Sequence, residues 1–111
     1  MKQDIVRHLR ETFPVPLSDD DLAALLADFM ASFSACADSL RSLPSPTDFL
    51  AIRRVTHTLK GFSENVGAND LSSLATALNT AAKATDSAVC SVYIAEILAL
   101  YERYLQEADS P

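Results

Sequence analysis

The stretch VTHTLKGFSENVGA, from Val55 to Ala68, holds the side chains of this chain that are best suited to chemistry. It places His57, Lys60 and Gly61 within about one helical turn of each other. A histidine has an ordinary pKa of about 6.5, so near pH 7 its imidazole is mostly neutral and has a free nitrogen lone pair. An accessible His57 could therefore act as a nucleophile or a ligand, with the Lys60 cation beside it to neutralise an anionic group.

A helical wheel places His57 on the outer face of its helix. Each residue advances by about 100° around the axis, and on this wheel His57 lies opposite an apolar arc. The arc contains Ile52, Val55, Leu59, Phe62 and Val66. The outer face also carries Arg53, Arg54, Lys60, Gly61 and Glu64. No acidic residue occurs between Asp48 and Glu64, so these cations form a positive patch that would attract an anion or an acidic partner.

Gly61 is the second unusual feature of this face. A glycine inside a helix costs about 1 kcal/mol relative to alanine, and its missing side chain leaves room for close approach. The residues alone leave two interpretations open. His57 is either a surface histidine without a function, or an accessible nucleophile or ligand that binds an anionic group.

The elements that position this stretch are helices. Ile5, Leu9 and Phe13 indicate a short first helix, and Ser18 with the acids Asp19 to Asp21 is typical of the start of a second. Ser45 as N-cap, Pro46 in the first position and Asp48 in the first turn predict the start of a third helix, which should end near Gly67. Two more apolar stripes follow, with Leu71, Leu74, Ala75 and Leu78 in one and Cys90, Ile94, Ile97, Leu98, Tyr101 and Leu105 in the other. We predict one all-α domain over residues 1–111, an antiparallel four-helix bundle with a short additional N-terminal helix.

Composition excludes several classes of protein. The 111 residues carry a formal net charge of -6, which argues against nucleic-acid binding and against attachment to an anionic membrane. The apolar stretch LAALLADFMASFSACA contains Asp28 and is expected to be too short to span a bilayer. The N-terminus shows no signal peptide, and the cysteines Cys36 and Cys90 match no metal or redox spacing. We expect a cytoplasmic protein with both thiols buried and reduced.

The motif HTLKG, followed by Ser63, Asn65, Gly67, Ala68 and Leu71, resembles the histidine-containing phosphotransfer (HPt) domain of bacterial phosphorelays. This family has a His, a hydrophobic residue two positions on, Lys-Gly, and a Gly-Ala type of helix end. The resemblance implies a four-helix bundle with the histidine exposed in mid-helix. It also implies that His57 accepts a phosphoryl group on Nε2 from an aspartyl phosphate of a receiver domain, or passes it to one.

The same resemblance implies roles for the neighbours and the partners. Lys60 would neutralise phosphoryl charge, while Arg53, Arg54, Gly61 and Glu64 would meet the partner. A response-regulator receiver domain or a hybrid histidine kinase would be that partner and would bring the Mg²⁺, so no cofactor or metal site is expected on this chain, which should be monomeric. Phe62 stands where a small residue is common. Asn79 stands where many members carry a glutamate that orients the histidine.

Other functions remain as alternatives. A helical-bundle adaptor that binds a signalling partner without phosphotransfer is the main one. A complete histidine kinase would need a glycine-rich ATP-binding segment, and the sequence has none. An acid–base hydrolase would need a second catalytic group, and Glu64 lies two turns from His57. The sequence further suggests that His8 is an idle residue at the solvent edge, and that Lys83 lies on another helix than His57.

Overall fold

The computed structural model describes residues 2–45 and 47–108, and this part of the chain forms five helices and no strand. The helices are α1 (Lys2–Thr12), α2 (Asp19–Arg41), α3 (Phe49–Asn65), α4 (Asn69–Lys83) and α5 (Ser87–Ala108). α2 contacts α3, α3 contacts α4, α4 contacts α5, and α5 returns to α2, while α1 lies against α5. The predicted all-α class is confirmed.

An aromatic cluster fills the space between α2 and α5. The Phe33 ring packs edge-on against Tyr101 and Tyr104, with centroids 5.0 and 5.6 Å apart. Phe29 extends the cluster to Phe62 of α3, at 5.5 Å. Burial of such apolar surface contributes about 25 cal/mol per Å² and is the main force that holds these helices together. Phe62 thus lies at the edge of the core, as the wheel predicts.

The ends of α2 and α3 follow their predicted signals. The Ser18 hydroxyl accepts a hydrogen bond from the Asp21 amide, and the Asp21 carboxylate accepts one from the Ser18 amide, which together make a capping box. At the end of α3, Gly67 has a φ of +71°, and the Ala68 amide donates to the Ser63 carbonyl at 2.8 Å. This left-handed Schellman ending fixes the direction in which the chain enters α4.

The start of α3 differs from the prediction. Asp48 is the N-cap, and its side chain accepts a hydrogen bond from the Ala51 amide at 3.2 Å, so the helix begins at Phe49. The Ser45 hydroxyl is instead held in a local turn, where it bonds the Thr47 amide and hydroxyl. Pro46 lies outside the described residues. Aspartate and serine are both favourable N-cap residues, and in this structure Asp48 caps α3 instead of Ser45.

Phe13 is also placed differently from the prediction. α1 ends at Thr12, so Phe13 lies beyond the helix and keeps 40% of its surface exposed. Ile5 and Leu9, the other two residues of the predicted stripe, are buried. The two prolines that follow, Pro14 and Pro16, end the helix a residue before the apolar pattern does.

The apolar stretch that the sequence predicts to be too short for a membrane lies inside a longer helix, α2. With its flanking residues, α2 has 23 residues and is the one helix of the described chain long and apolar enough to cross a bilayer. Length and composition are weak evidence for a span, because core helices pass the same test. Leu22, Phe29, Phe33 and Leu40 of α2 are buried in the core.

Both cysteines are buried and free. Burial raises the pKa of the Cys36 thiol, and burial together with the charge of Asp86 raises the pKa of Cys90. Raised pKa values keep the thiols protonated and unreactive, which agrees with the predicted structural role.

Candidate functional site

His57 lies in the middle of α3, more than two turns from either end, and its side chain is exposed. On the opposite side of the same helix, Ile52 and Leu59 are fully buried. The outward direction of the imidazole is therefore set by the apolar stripe, which anchors the helix by burying the other face. Gly61, one turn further on, faces open space, since an added Cβ there would meet no atom within 4 Å.

His57 opens into a hollow of about 640 Å³ between α3 and α4. The lining of this hollow, which we call the His57 hollow, combines one apolar residue with cations and small polar side chains. It consists of Leu50, Arg53, Arg54, His57, Thr58, Lys60, Asn79 and Lys83. Gly61 and Glu64 are exposed further along α3 and are not part of this lining.

Four cations line the His57 hollow. Arg53, Arg54 and Lys60 come from α3, and Lys83 comes from the last turn of α4. None of the ion pairs in the described part of the chain involves any of these four. Their positive charge is therefore uncompensated by acids of the described fold and is directed at whatever enters the hollow.

Lys60 is half-buried, whereas the sequence predicts an exposed side chain. On the wheel Lys60 lies about 60° from His57, on the side of α3 that also carries Thr56. This is the side that α4 covers, because Thr56 contacts Asn79 of α4. A lysine can bury its aliphatic stem in such a place and keep its ammonium in the hollow.

Asn79 does not hydrogen-bond His57. Its Oδ1 accepts from the hydroxyl of the fully buried Thr56 at 3.2 Å, and the same hydroxyl lies 2.9 Å from the Arg53 carbonyl oxygen. The amide of Asn79 thus ties α4 to the turn of α3 that carries His57. In the described chain no side chain is hydrogen-bonded to the imidazole, so the glutamate-like orienting role is not seen in this structure.

Sequence reasoning missed Lys83, Leu50 and Thr58. Lys83 lies one turn beyond Asn79 on α4. Because residues at i and i+4 share a face of a helix, the expected position of Asn79 near His57 could have indicated that Lys83 also lies there. Leu50 keeps 60% of its surface exposed and lines the His57 hollow. Lys83 lies on another helix than His57, as expected, but it lines the same hollow.

His8 is not an idle residue. It is half-buried, and its ring lies so close to Gly67 that a side chain on Gly67 would overlap it. α1 thereby packs against the connection between α3 and α4. His8 is one element of packing far from the His57 hollow, and no residue of α1 lines that hollow.

The arrangement suits transfer of an anionic group to a nitrogen nucleophile. The imidazole is exposed, its surroundings are cationic, and a glycine one turn away leaves space for a second molecule. Among the described residues, no group of three or more His, Cys, Asp or Glu side chains could hold a metal ion. The exposed imidazole and the cations that line its hollow can supply positioning and charge neutralisation to such a reaction.

Comparison with known protein families agrees with this chemistry. The family model of the Hpt domain matches residues 24–107, which covers α3, α4 and most of α2 and α5. No curated protein and no solved structure matches the chain significantly. The matched segment contains His57 and every residue that lines its hollow. Because the match spans well over half of its 111 residues, the chain belongs to the Hpt domain family.

Proposed function

We propose that this chain is a phosphorelay carrier that accepts a phosphoryl group on His57 from a receiver-domain aspartyl phosphate and passes it to another receiver. Histidine phosphotransfer in phosphorelay signalling is what Hpt domains do, and they are carrier modules rather than enzymes. The observation that supports the assignment to His57 is its exposed imidazole in a hollow that is also lined by four cations, none of which forms an ion pair within the described fold.

The reaction would proceed as an in-line displacement at phosphorus. The Nε2 lone pair of neutral His57 attacks the phosphorus atom while the bond from phosphorus to the aspartyl oxygen breaks, and the aspartate leaves as a carboxylate. The Nδ1 hydrogen stays on the ring, which then carries a positive charge next to the phosphoryl anion. The receiver brings the Mg²⁺, and Lys60 and Lys83 neutralise charge from this side.

Asn79 makes the phosphorylated state less stable than a glutamate would. A carboxylate at this place could pair with the positively charged ring, whereas the Asn79 oxygen is neutral and is held by Thr56. A weakly stabilised phosphohistidine favours onward transfer, which is the step a carrier needs.

Several finer features belong to the same proposal. The ring of contacts among α2, α3, α4 and α5 and their short connections support an antiparallel four-helix bundle over a single domain, residues 1–111. We also propose that the chain works in the cytoplasm as a monomer, without a cofactor of its own. Arg53, Arg54, Gly61 and Glu64 would contact the receiver.

A screen of receiver domains tests the function. Each phosphorylated receiver is mixed with this chain in Mg²⁺, and the transfer of label is followed over seconds to minutes. We expect one or a few receivers to transfer rapidly and the rest slowly. Receivers that bind this chain tightly but transfer nothing would support the adaptor function instead.

Replacing Lys60 and Lys83 tests whether these cations neutralise phosphoryl charge during transfer. Lys60→Ala should slow transfer by about tenfold, the effect of losing one charge-assisted contact of roughly 1.4 kcal/mol in the transition state. Lys83→Ala should slow it less, because Lys83 is exposed and more screened by solvent. The rate is measured as loss of label from a phosphorylated receiver.

The matched control for both lysines is Arg103→Ala, which removes an exposed cation of α5 that does not line the His57 hollow. This variant should transfer at the wild-type rate. If Lys60→Ala equals Arg103→Ala, Lys60 plays no part in transfer. The same comparison decides the case of Lys83.

A further inference from the structure

A second hollow, of about 460 Å³, lies between α1, α2 and α5. We call it the α2 groove. Its wall is largely apolar and includes Ile5, Leu22, Leu26 and Met30. Its charged residues are Asp19, which pairs with Arg10 at 3.3 Å, and Glu107. None of its lining residues also lines the His57 hollow, so the two hollows can be occupied at the same time.

Glu107 is the feature of the α2 groove that needs an explanation. Its Oε2 is buried and has no hydrogen-bond partner within the described chain. Burying a carboxylate oxygen without a partner costs free energy, and buried polar atoms in folded proteins nearly always have one. Glu107 also affects Tyr104, which lines the same groove. The pKa of the Tyr104 phenol is raised mainly by burial, then by its hydrogen bond to Asp70, and then by nearby negative charges that include Glu107. A cation in the groove would satisfy this oxygen.

The exposed side of α2 beside the groove carries small and acidic side chains. Only 28% of the most apolar 18-residue window of α2 is buried, and the exposed residues of the helix include Ala24, Asp28 and Ala31. Ala23 and Ala27 line the groove and are exposed, and such small side chains let another backbone approach closely. Small side chains along this edge leave room for the backbone of an elongated occupant to lie against α2.

Charge decides among the possible elongated occupants. Asp19, Asp20 and Asp21 stand at the start of α2, Asp28 follows within it, and the whole chain has a net charge of -6. These acids disfavour insertion into a lipid bilayer, particularly an anionic one. They favour a cationic partner, because opposite charge accelerates association and fixes its register.

We propose that the α2 groove is a docking site for a cationic amphipathic helix of a partner protein, which packs apolar side chains on Leu22, Leu26 and Met30 and places a lysine or arginine against Glu107. A helix satisfies its own backbone hydrogen bonds and can therefore lie in an apolar groove. The long stem of lysine or arginine can cross the apolar wall and still bring its charge to the carboxylate. This site does not depend on phosphotransfer at His57.

Selection from a displayed library of short amphipathic helices tests this proposal. The intact chain is the bait, the positions on the apolar face are randomised, and Ala27→Arg, which puts a large cation at the exposed edge of the groove, is the counter-selection. We expect the enriched helices to carry a lysine or arginine on or beside the apolar face. Fluorescence anisotropy of the selected peptides, made with that cation or with methionine in its place, then gives their affinities.

The decisive comparison is a double-mutant cycle. Glu107→Gln should weaken the cationic peptide by about tenfold, the loss of one charge-assisted contact, and leave the methionine peptide unchanged. Ala27→Arg should abolish binding of both, whereas the matched Ala88→Arg, on an exposed position of α5 outside the groove, should change neither. Circular dichroism checks that each variant is folded.

Three outcomes would overturn the proposal. The first is that no helix is enriched, or that the enriched helices lack a cation and ignore Glu107→Gln. The second is that the chain self-associates through the groove in sedimentation, and Ala27→Arg makes it monomeric, which assigns the groove to a second copy. The third is that lipid vesicles bind the chain and Ala27→Arg releases it.

Discussion

His57→Gln should remove all receiver-dependent phosphorylation from this protein. Glutamine has a similar size and keeps a polar tip, but its amide nitrogen has no lone pair available for attack on phosphorus. Since His57 is exposed and its imidazole makes no hydrogen bond within the described chain, the substitution should leave the fold and its unfolding free energy nearly unchanged. Label is counted after incubation with a phosphorylated receiver and Mg²⁺.

His8→Gln is the matched control, because it replaces the only other histidine of the chain. This variant should still be labelled at the wild-type rate. It should be somewhat less stable, since His8 packs against Gly67. Full labelling of the His57→Gln protein would show that another residue is the acceptor.

Gly61→Leu should leave the protein folded and slow phosphotransfer by about 100-fold. A misplacement of about 1 Å between reacting groups can cost that much, and a leucine beside His57 would hold the receiver away. The fold should tolerate the change, because a side chain at position 61 enters open space. Ala99→Leu, which adds a leucine at an exposed position of α5, should transfer normally.

The two glycines of the chain should respond oppositely to alanine. Gly61→Ala should raise the free energy of unfolding by up to about 1 kcal/mol, the ordinary gain in helix propensity. Gly67→Ala should lower it by at least about 1–2 kcal/mol, because alanine is strained at a φ of +71° and its Cβ would overlap His8. Urea unfolding measures both free energies.

Normal phosphotransfer by the Gly61→Leu variant would mean that Gly61 does not provide space for the receiver.

Features that depend on one helix at a time were predictable from the sequence. The apolar stripe of α3 places His57 outward and Phe62 at the core edge, and both are found there. The capping box at Ser18 and the left-handed Gly67 are likewise local, because their signals lie within a few residues of the helix ends that they form.

Features that depend on how helices pack were not predictable in the same way. The wheel of α3 cannot show that α4 covers one of its sides, so it predicts an exposed Lys60 and does not reveal that Lys83 lines the same hollow. The wheel also cannot predict that Asn79 hydrogen-bonds Thr56 and not His57. That hydrogen bond depends on how α4 packs against the buried Thr56 hydroxyl. The α2 groove depends on three helices and left no sequence motif.

The start of α3 shows a different limit. Ser45 and Asp48 are both good N-caps, and the sequence holds a plausible helix start at each. The choice depends on the turn that joins Ser45 to Thr47, which competes for the same hydroxyl.

The location of the phosphoryl group in the wild-type protein tests directly whether His57 is the phosphoryl acceptor. The labelled chain is kept at alkaline pH, digested, and its peptides are fragmented gently enough to preserve an N–P bond. We expect one phosphoryl group per chain, on the peptide that contains His57, stable in base and lost in acid. A phosphoryl group on an aspartate, a serine or His8, or a chain that takes none from any receiver, would contradict it.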